Sequence, residues 1–577
     1  MSGNLFLNFF SIGALIPLLF VMFIALLLIR IRDKGESTWW LASFAIVYCL
    51  FMLPYFPASV LFHPAGAYHR WFTVPFVLLT FTFLAQFFFH MPSNTHPRFA
   101  KVSFFVQCIV ALGVTVLFVA RTFHAGKVYN FDGHYFDFDA EEVSRLVGVF
   151  IILYVVYYII IAVFRAVIAN DQERKIILYF LAFFIIATIP PSVTNILSRD
   201  GALDRGTHQT VIVACNVLGF FGVMTVFLNT TRDRTTFMAK IISISIITFL
   251  TVFQGLNYFV LSDKEETYDE LHRKDAALML ATPYRAADFR YAMVWSMKDA
   301  KEKPAFGSVP AVDLDFYKIE IANASILERI AALPSSNPVE FKTDVTRLLE
   351  KSHPGFEGYK GLILSEANAL KETEKSPAIA VLDRVHSLKR KILFRYNKIS
   401  QIPDAAFRNK LPAFIAEQPL WFAPFGKAML DFANKHQDLT GQQLKGEVLV
   451  FLRPAERAGV RLYRKNKDSL DPEADQFVSY LKADLEHDQM FEVAYSYRMY
   501  RSFINPPALI MTGILIAVML IVLFGFRLFF LGAQVNPLNV LLGGVEKVNA
   551  GDMSVQVPIK VGDEIGFLSR SFNGMVA

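Results

Sequence analysis

The run ALIMTGILIAVMLIVLFGFRLFF at residues 508–530 decides the class of fold. It contains a single charged residue, Arg527, and about 20 consecutive apolar residues are enough for an α-helix to cross a bilayer. The whole chain has a matching composition, because 54% of its 577 residues are hydrophobic and only 19% are charged, against about 25% in soluble domains. The net charge of +6 is small for this length and indicates no nucleic-acid partner. The sequence therefore predicts a polytopic α-helical membrane protein.

Eight further runs of spanning length precede this one, which makes about nine predicted transmembrane helices. They cover residues 5–29, 40–62, 71–89, 102–120, 146–168, 176–197, 211–228 and 241–261. A long charged insert separates the eighth run from the ninth and contains no apolar run of that length. We expect this insert to be a water-soluble domain.

The orientation of the helices follows from the basic residues in the short loops, since Lys and Arg concentrate on the cytoplasmic side. Basic residues follow the first, third, fifth and seventh runs: Arg30, Arg32, Lys34, Arg98, Lys101, Arg174, Lys175, Arg232, Arg234 and Lys240. The alternation predicts an N-terminus outside, a cytoplasmic C-terminus and an insert that lies outside.

Residues 531–577 have the pattern of two short helices joined by an extended connector. Pro537 is tolerated in the first turn of a helix, Gly551-Asp552 ends that helix, and Asp563-Glu564 favours the start of a second one. The residues to which we give a role in this region are Pro537, Leu538, Leu541, Val545, Gly551, Asp552, Val557, Pro558, Asp563, Glu564, Ile565, Gly566, Phe572, Asn573 and Met575.

This ordered set of motifs resembles the HAMP linker, which couples membrane sensors to cytoplasmic output domains. The resemblance implies that the apolar stripes of both helices pair with a second copy in a parallel four-helix bundle, and hence a homodimer. It also implies that residues 531–577 lack the last turns of the second helix and that the chain is truncated before its output domain.

The insert has helical spacing at residues 268–297, 326–333, 378–399 and 422–432, and then changes its period. Residues 446–452 and 460–464 are rich in β-formers, and residues 476–484 and 490–497 flank a turn and indicate a hairpin. Helices followed by an antiparallel sheet predict an extracytoplasmic α+β domain. The order is similar to that of Cache domains, which are PAS-like sensors; a helical bundle with one β-ribbon is the alternative.

The predicted organisation has five parts. A seven-transmembrane module at 1–235 resembles the seven-helix sensory modules of bacterial histidine kinases and related receptors. It is followed by an eighth helix at 236–261, the sensor domain at 262–505, a ninth helix at 506–530 and the HAMP-like linker at 531–577.

Possible ligand contacts in the insert are Arg453, Arg461, Tyr495, Tyr497 and Arg498, since Tyr and Arg favour recognition surfaces. Arg457 and Arg464 extend the basic set. A solvated strand face and an aromatic anchor at the membrane surface are the competing interpretations. Oxygen donors at residues 129–142 make a cation site conceivable, whereas a plain interfacial loop needs no metal. The sequence has no recognisable catalytic, cofactor-binding or metal-binding motif.

These patterns predict a bacterial inner-membrane receptor that relays a small-molecule or physical stimulus to a cytoplasmic enzyme outside residues 1–577. A class III adenylate or guanylate cyclase or a serine/threonine phosphatase is favoured over a histidine kinase. The alternatives are a transporter- or channel-like protein and a non-enzymatic dimerising regulator. The expected partners are the lipid bilayer and a second copy.

Overall fold

The structure is a computed structural model. The residues that it describes are 4–31, 34–199, 203–230, 237–282, 284–286, 289–296, 302–307, 314–334, 337–350, 352, 354–453, 459–465, 476–559 and 562–577. Four residues named above, Arg32, Arg232, Arg234 and Arg457, lie outside these ranges.

The chain divides into two compact units. The first comprises Met1–Val193, Gln209–Ser262 and Asn505–Ala577, and the second comprises Thr194–His208 and Asp263–Ile504. Four helices contribute residues to both units: α7 (Asp171–Arg199), α8 (Arg205–Thr230), α9 (Phe237–Ala281) and α17 (Tyr497–Leu520).

Long apolar helices dominate the first unit. They are α1 (Phe9–Arg30), α2 (Glu36–Met52), α3 (Tyr55–Val60), α4 (His69–Phe89), α5 (Pro97–Thr122), α6 (Glu141–Ile168), α7 (Asp171–Arg199) and α8 (Arg205–Thr230), with a hairpin of β1 (Lys127–Asn130) and β2 (Tyr135–Phe138). Within the described part of the chain, nine helical segments are long and apolar enough to cross a membrane. Each overlaps one of the nine predicted runs.

Aromatic rings fill the interior of this unit. Tyr48 and Phe220 have ring centroids 4.8 Å apart, and Phe44 contacts Phe184 at 5.3 Å. Apolar side chains also cover the outside, where Val167 is 70% exposed and Phe259 is 71% exposed. Helices that are apolar on every side match a lipid solvent, which indicates a multi-pass membrane protein.

The second unit contains an antiparallel five-stranded sheet in the order β4-β3-β7-β6-β5. The strands are β3 (Phe289–Ser296), β4 (Glu302–Gly307), β5 (Arg461–Lys465), β6 (Gln476–Asp484) and β7 (Gln489–Ser496). The predicted hairpin is present, with Asp484 opposite Gln489 and a left-handed turn residue, Asp488, at φ 56°. The last residue of β7 is followed directly by α17.

A helical insertion lies between β4 and β5. It comprises α10 (Leu314–Ala331), α11 (Pro338–Leu349), α12 (Glu357–Asn368), α13 (Pro377–Ser400), α14 (Phe407–Ala416), α15 (Ala423–Lys435) and α16 (Gly441–Val450). Its core is built around fully buried side chains such as Phe341, Phe425 and Met429.

Two predictions about this unit were wrong. The strand predicted at 446–452 lies largely in α16, because Thr440 and Gln443 form a capping box and Leu444 and Val448 bury one helical face. The helix predicted at 268–297 ends with α9 at Ala281, and half of its remainder is the inner strand β3. Since this strand lies between two others, the unit contains a real sheet and is no helical bundle with one ribbon.

The chain after α17 stays helical down to residue 549. A π-helical turn at Ile521–Phe526, α18 (Arg527–Phe530) and a second π-helical turn at Leu531–Val535 lead into α19 (Asn536–Asn549), and α20 (Glu564–Val576) follows a connector. The last apolar helix thus enters α19 without a non-helical residue between them.

Candidate functional site

The ends of α19 and α20 carry local signals that position the connector between them. Gly551 adopts φ +96°, a left-handed conformation that favours glycine, and so turns the chain out of α19. Asp552 accepts hydrogen bonds from the Ser554 amide at 3.0 Å and hydroxyl at 2.6 Å. Asp563 caps α20 by accepting from the amides of Ile565 and Gly566 at 3.0 and 3.2 Å.

The connector is held against α20 by one asparagine. The Asn573 side-chain oxygen accepts from the Val557 amide at 2.7 Å, and its amide group donates to the Val557 carbonyl at 2.8 Å. The Val557 side chain is 3% exposed and Phe572 is 6% exposed. One side chain therefore satisfies both backbone groups of the residue that enters the small core of this region.

Gly544 marks the closest approach to α19. A Cβ at this position would lie 2.6 Å from Val557 Cγ2 and 3.3 Å from a ring carbon of Phe572. Since real Cβ contacts are not that short, a larger residue would push the connector and α20 outward. The sequence analysis missed Gly544. A glycine inside a helix costs about 1 kcal/mol of stability relative to alanine, so its presence there is itself a signal of close packing.

The fifteen residues predicted for this region fall into three groups by exposure. Pro537, Val557, Gly566 and Phe572 are buried; Leu538, Leu541, Ile565 and Asn573 are half-buried; Val545, Gly551, Asp552, Pro558, Asp563, Glu564 and Met575 are exposed. Within one chain, the apolar residues of α20 therefore differ in exposure: Ile565 is half-buried, whereas Met575 is 80% exposed.

A second cluster lies in the unit that contains the sheet, around Arg461 on β5. Its guanidinium binds both carboxylate oxygens of Asp269, from Nε at 2.8 Å and from Nη2 at 2.9 Å. Nη1 donates to the Tyr500 hydroxyl at 2.6 Å, and the guanidinium carbon Cζ lies 4.6 Å from the Tyr500 ring centroid. Glu265 Oε2 lies 3.4 Å from the same nitrogen. Three elements, α9, β5 and α17, meet on this one side chain.

Tyr480 on β6 completes the cluster by donating to Asp269 Oδ1 at 2.6 Å. Burial, followed by the charge of Asp269, raises the pKa of Tyr480, so the phenol keeps the proton that it donates. Both partners of the central ion pair are 13% exposed in their side chains. The pair is thus shielded from most of the solvent that weakens surface salt bridges.

Of the five predicted ligand contacts, two reach α9. Arg461 binds α9, and Tyr495 also contacts that helix, donating from its hydroxyl to the His272 carbonyl at 3.0 Å. Tyr497 is buried, Arg498 is exposed and the carbonyl of Arg453 accepts from the Asn323 amide at 3.5 Å. Sequence spacing could not reveal Asp269 or Tyr500, because they lie far from Arg461 along the chain.

Arg464, three residues after Arg461 on β5, is the centre of a buried ionic group. It donates to Glu492 at 2.7 Å and to Glu320 of α10 at 2.9 Å, and Ser479 donates to Glu492 at 2.8 Å. Both charged pairs are at most 4% exposed. The group joins α10 to the sheet, which is a structural role.

The loop considered as a cation site forms the β1–β2 hairpin. Asp137 faces Arg70 at 3.6 Å, and the described residues contain no group of three or more His, Cys, Asp or Glu side chains that could hold a metal ion. The structure offers no support for a cation at this loop.

Comparison with known families identifies the C-terminal region. Residues 529–577 match the family described as the HAMP domain. A comparison of the chain with curated proteins gives no match. The helix–connector–helix geometry and this match agree, and nine apolar helices precede the domain in the described residues. These findings together indicate a multi-pass membrane protein in which residues 529–577 match the HAMP domain, a signal-transduction linker of receptors.

Proposed function

We propose that this chain is the sensory and linker part of a transmembrane receptor, which passes a stimulus through the HAMP domain to a cytoplasmic output domain. The observation that carries the proposal is the unbroken helical path from α17 into α19. A displacement of the last apolar helix reaches α19 directly, since no loop between them can absorb it. The small core of Gly544, Val557 and Phe572 then offers a packing that such a displacement can change.

The unit with the five-stranded sheet is the proposed sensor. Its single antiparallel sheet between α9 and α17 is the arrangement expected of a Cache-like domain at 262–505. The Arg461 cluster supports a role in transmission, because it ties the sheet to both of these helices. A stimulus that moves β5 or β6 would therefore move Tyr500 and the start of α17.

The proposed active form is a homodimer. Leu542 is 56% exposed, Val545 is 37% exposed and Leu568 is 49% exposed in a single chain. Leu542 and Val545 are three residues apart on α19 and Leu568 lies on α20, and exposed apolar side chains on short linker helices favour burial against a second copy. The remaining parts of the proposal are a seven-helix sensory module at 1–235, a bacterial inner-membrane location with the N-terminus outside, and a class III cyclase or serine/threonine phosphatase as output.

Disulfide scanning of α19 tests the relay. Single cysteines are placed at each position of 538–549 in a chain whose Cys49, Cys108 and Cys215 are replaced, and the protein is oxidised in its native membrane. We expect crosslinking between copies to repeat about every 3.5 residues, with strong bands at Val545 and weak ones at Lys547. A flat profile, or a maximum at Lys547, would refute the dimeric HAMP relay.

A further inference from the structure

A cavity of about 700 Å³ lies in the first unit where three apolar helices end. Glu36 is the first residue of α2, His90 follows the last residue of α4, and Lys101 lies near the start of α5. All three side chains line the cavity. Because the helix ends mark the boundary of the apolar segments, the cavity lies at the depth where lipid headgroups meet a membrane protein.

The polar end of the cavity contains both signs of charge. Glu36 Oε2 is 3.9 Å from His90 Nε2. The His90 Nδ1 lies 2.8 Å from the Gln86 carbonyl, which can only accept, so Nδ1 carries the hydrogen. Nε2 then accepts from the Asn94 side-chain amide at 2.9 Å. Two hydrogen bonds therefore hold the His90 ring beside the Glu36 carboxylate.

An aromatic wall stands beside that carboxylate. The Trp40 ring lies 5.2 Å from His90, 5.7 Å from Phe83 and 5.6 Å from Phe104, measured between ring centroids. A ligand ammonium group is attracted both to a carboxylate and, by a cation–π interaction, to the face of an aromatic ring. Lys101, on the α5 side, offers the opposite charge, which suits a phosphate.

The cavity continues into an apolar stripe on α5. Phe105 lines the cavity and is 54% exposed. Ile109, Leu112 and Val116 follow at spacings of four, three and four residues and are 69%, 65% and 59% exposed. These positions share one face of α5, and this face is exposed on the surface of the unit.

We propose that this cavity is a binding site for a zwitterionic phospholipid of the ethanolamine type. The ammonium lies against Glu36 and the Trp40 ring, the phosphate lies against Lys101, and one acyl chain follows the stripe from Phe105 to Val116. A lipid with a purely anionic headgroup would bring its negative charge towards Glu36 without an ammonium to compensate it, so the site selects the zwitterion. The proposal does not depend on the HAMP relay.

Native mass spectrometry of the purified full chain in detergent tests the site. The chain is titrated with dihexanoyl phosphatidylethanolamine, with dihexanoyl phosphatidylglycerol, and with O-phosphoethanolamine as the free headgroup. We expect the ethanolamine lipid to bind at least tenfold more tightly than the glycerol lipid. The free headgroup should bind at least tenfold more weakly than its lipid, because it leaves the α5 stripe uncovered.

The variant Glu36→Gln with Lys101→Gln should lose at least tenfold in affinity for the ethanolamine lipid. Arg98→Gln is the matched control, since Arg98 is an exposed cation on the first turn of α5 that does not line the cavity. Equal binding of the two lipids, or an unchanged affinity in the double variant, would overturn the site. Equal affinity for the free headgroup would overturn its assignment to a lipid.

Discussion

Removing the carboxylate of Asp269 should destabilise the unit that contains the sheet more than any surface change on the same helix. In Asp269→Ala, Arg461 loses two charge-assisted hydrogen bonds and Tyr480 loses its acceptor. Breaking one partner of a buried pair costs about 3–5 kcal/mol. The remaining 13% exposure of both side chains places the expected loss at the lower end, about 3 kcal/mol.

This loss converts into a measurable shift of the melting temperature. For a unit of about 260 residues, 1 kcal/mol corresponds to about 2–4 °C, so Asp269→Ala should lower the transition by about 6–12 °C. Trp295 is a suitable probe, because it lies on β3 and is only 1% exposed. Its fluorescence is followed on heating, in a full chain in detergent whose other tryptophans are replaced by phenylalanine.

The control for this measurement lies on the same helix. Glu270 pairs with Lys274 at 3.8 Å, but the two side chains are 59% and 79% exposed, so Glu270→Ala should cost at most about 0.5 kcal/mol. Combining Asp269→Leu with Arg461→Met should restore part of the stability, since neither member of the central ion pair is then left as an isolated charge. If Asp269→Ala lowers the melting temperature no more than Glu270→Ala does, the Arg461 cluster does not stabilise this unit.

Further predictions concern the linker and the topology. Asn573→Asp replaces the amide that donates to the Val557 carbonyl by a negative oxygen, which should cost the linker about 1–3 kcal/mol of stability. The measurement is hydrogen exchange of the connector amides, which should become faster. The exposed Ser571→Ala is the control and should leave the exchange rates unchanged. Gly544→Val should cost about 1–3 kcal/mol through overpacking and shift the disulfide pattern of α19; an unaltered pattern would contradict the close approach. Reporter fusions at His124 and Ala577 should report outside and inside, and the reverse result at either position would refute the predicted orientation.

Properties encoded in short stretches of sequence were predictable. The apolar runs, the glycine turn at Gly551 and the cap at Asp563 each depend on a few adjacent residues, and the structure places helices and their ends accordingly. The hairpin of β6 and β7 was visible because its alternation flanks a short turn. Local physics decides these features, so distant parts of the chain are not needed to infer them.

Features that depend on distant partners were missed. Residues 289–296 have apolar spacing compatible with a helix, and only pairing with β4 and β7 makes them a strand. Arg461 was noticed as a possible ligand contact, yet its partners Asp269 and Tyr500 lie on α9 and α17, at the two ends of the insert. Long-range pairing of this kind leaves no periodic signal near either residue, so sequence spacing cannot reveal it.

The linker depends both on local signals and on distant contacts, and this bears on the proposed pairing with a second copy. Within one chain, α19 turns Gly544 towards Val557 and Phe572, and a glycine is needed there because the approach leaves no room for a Cβ. Val545, the next residue, points elsewhere on the helix and stays 37% exposed. The intramolecular contact and the proposed contact between copies thus occupy adjacent faces of one short helix. A rotation of α19 that improves one contact would weaken the other, and in the proposed relay the unbroken helix from α17 transmits such a rotation.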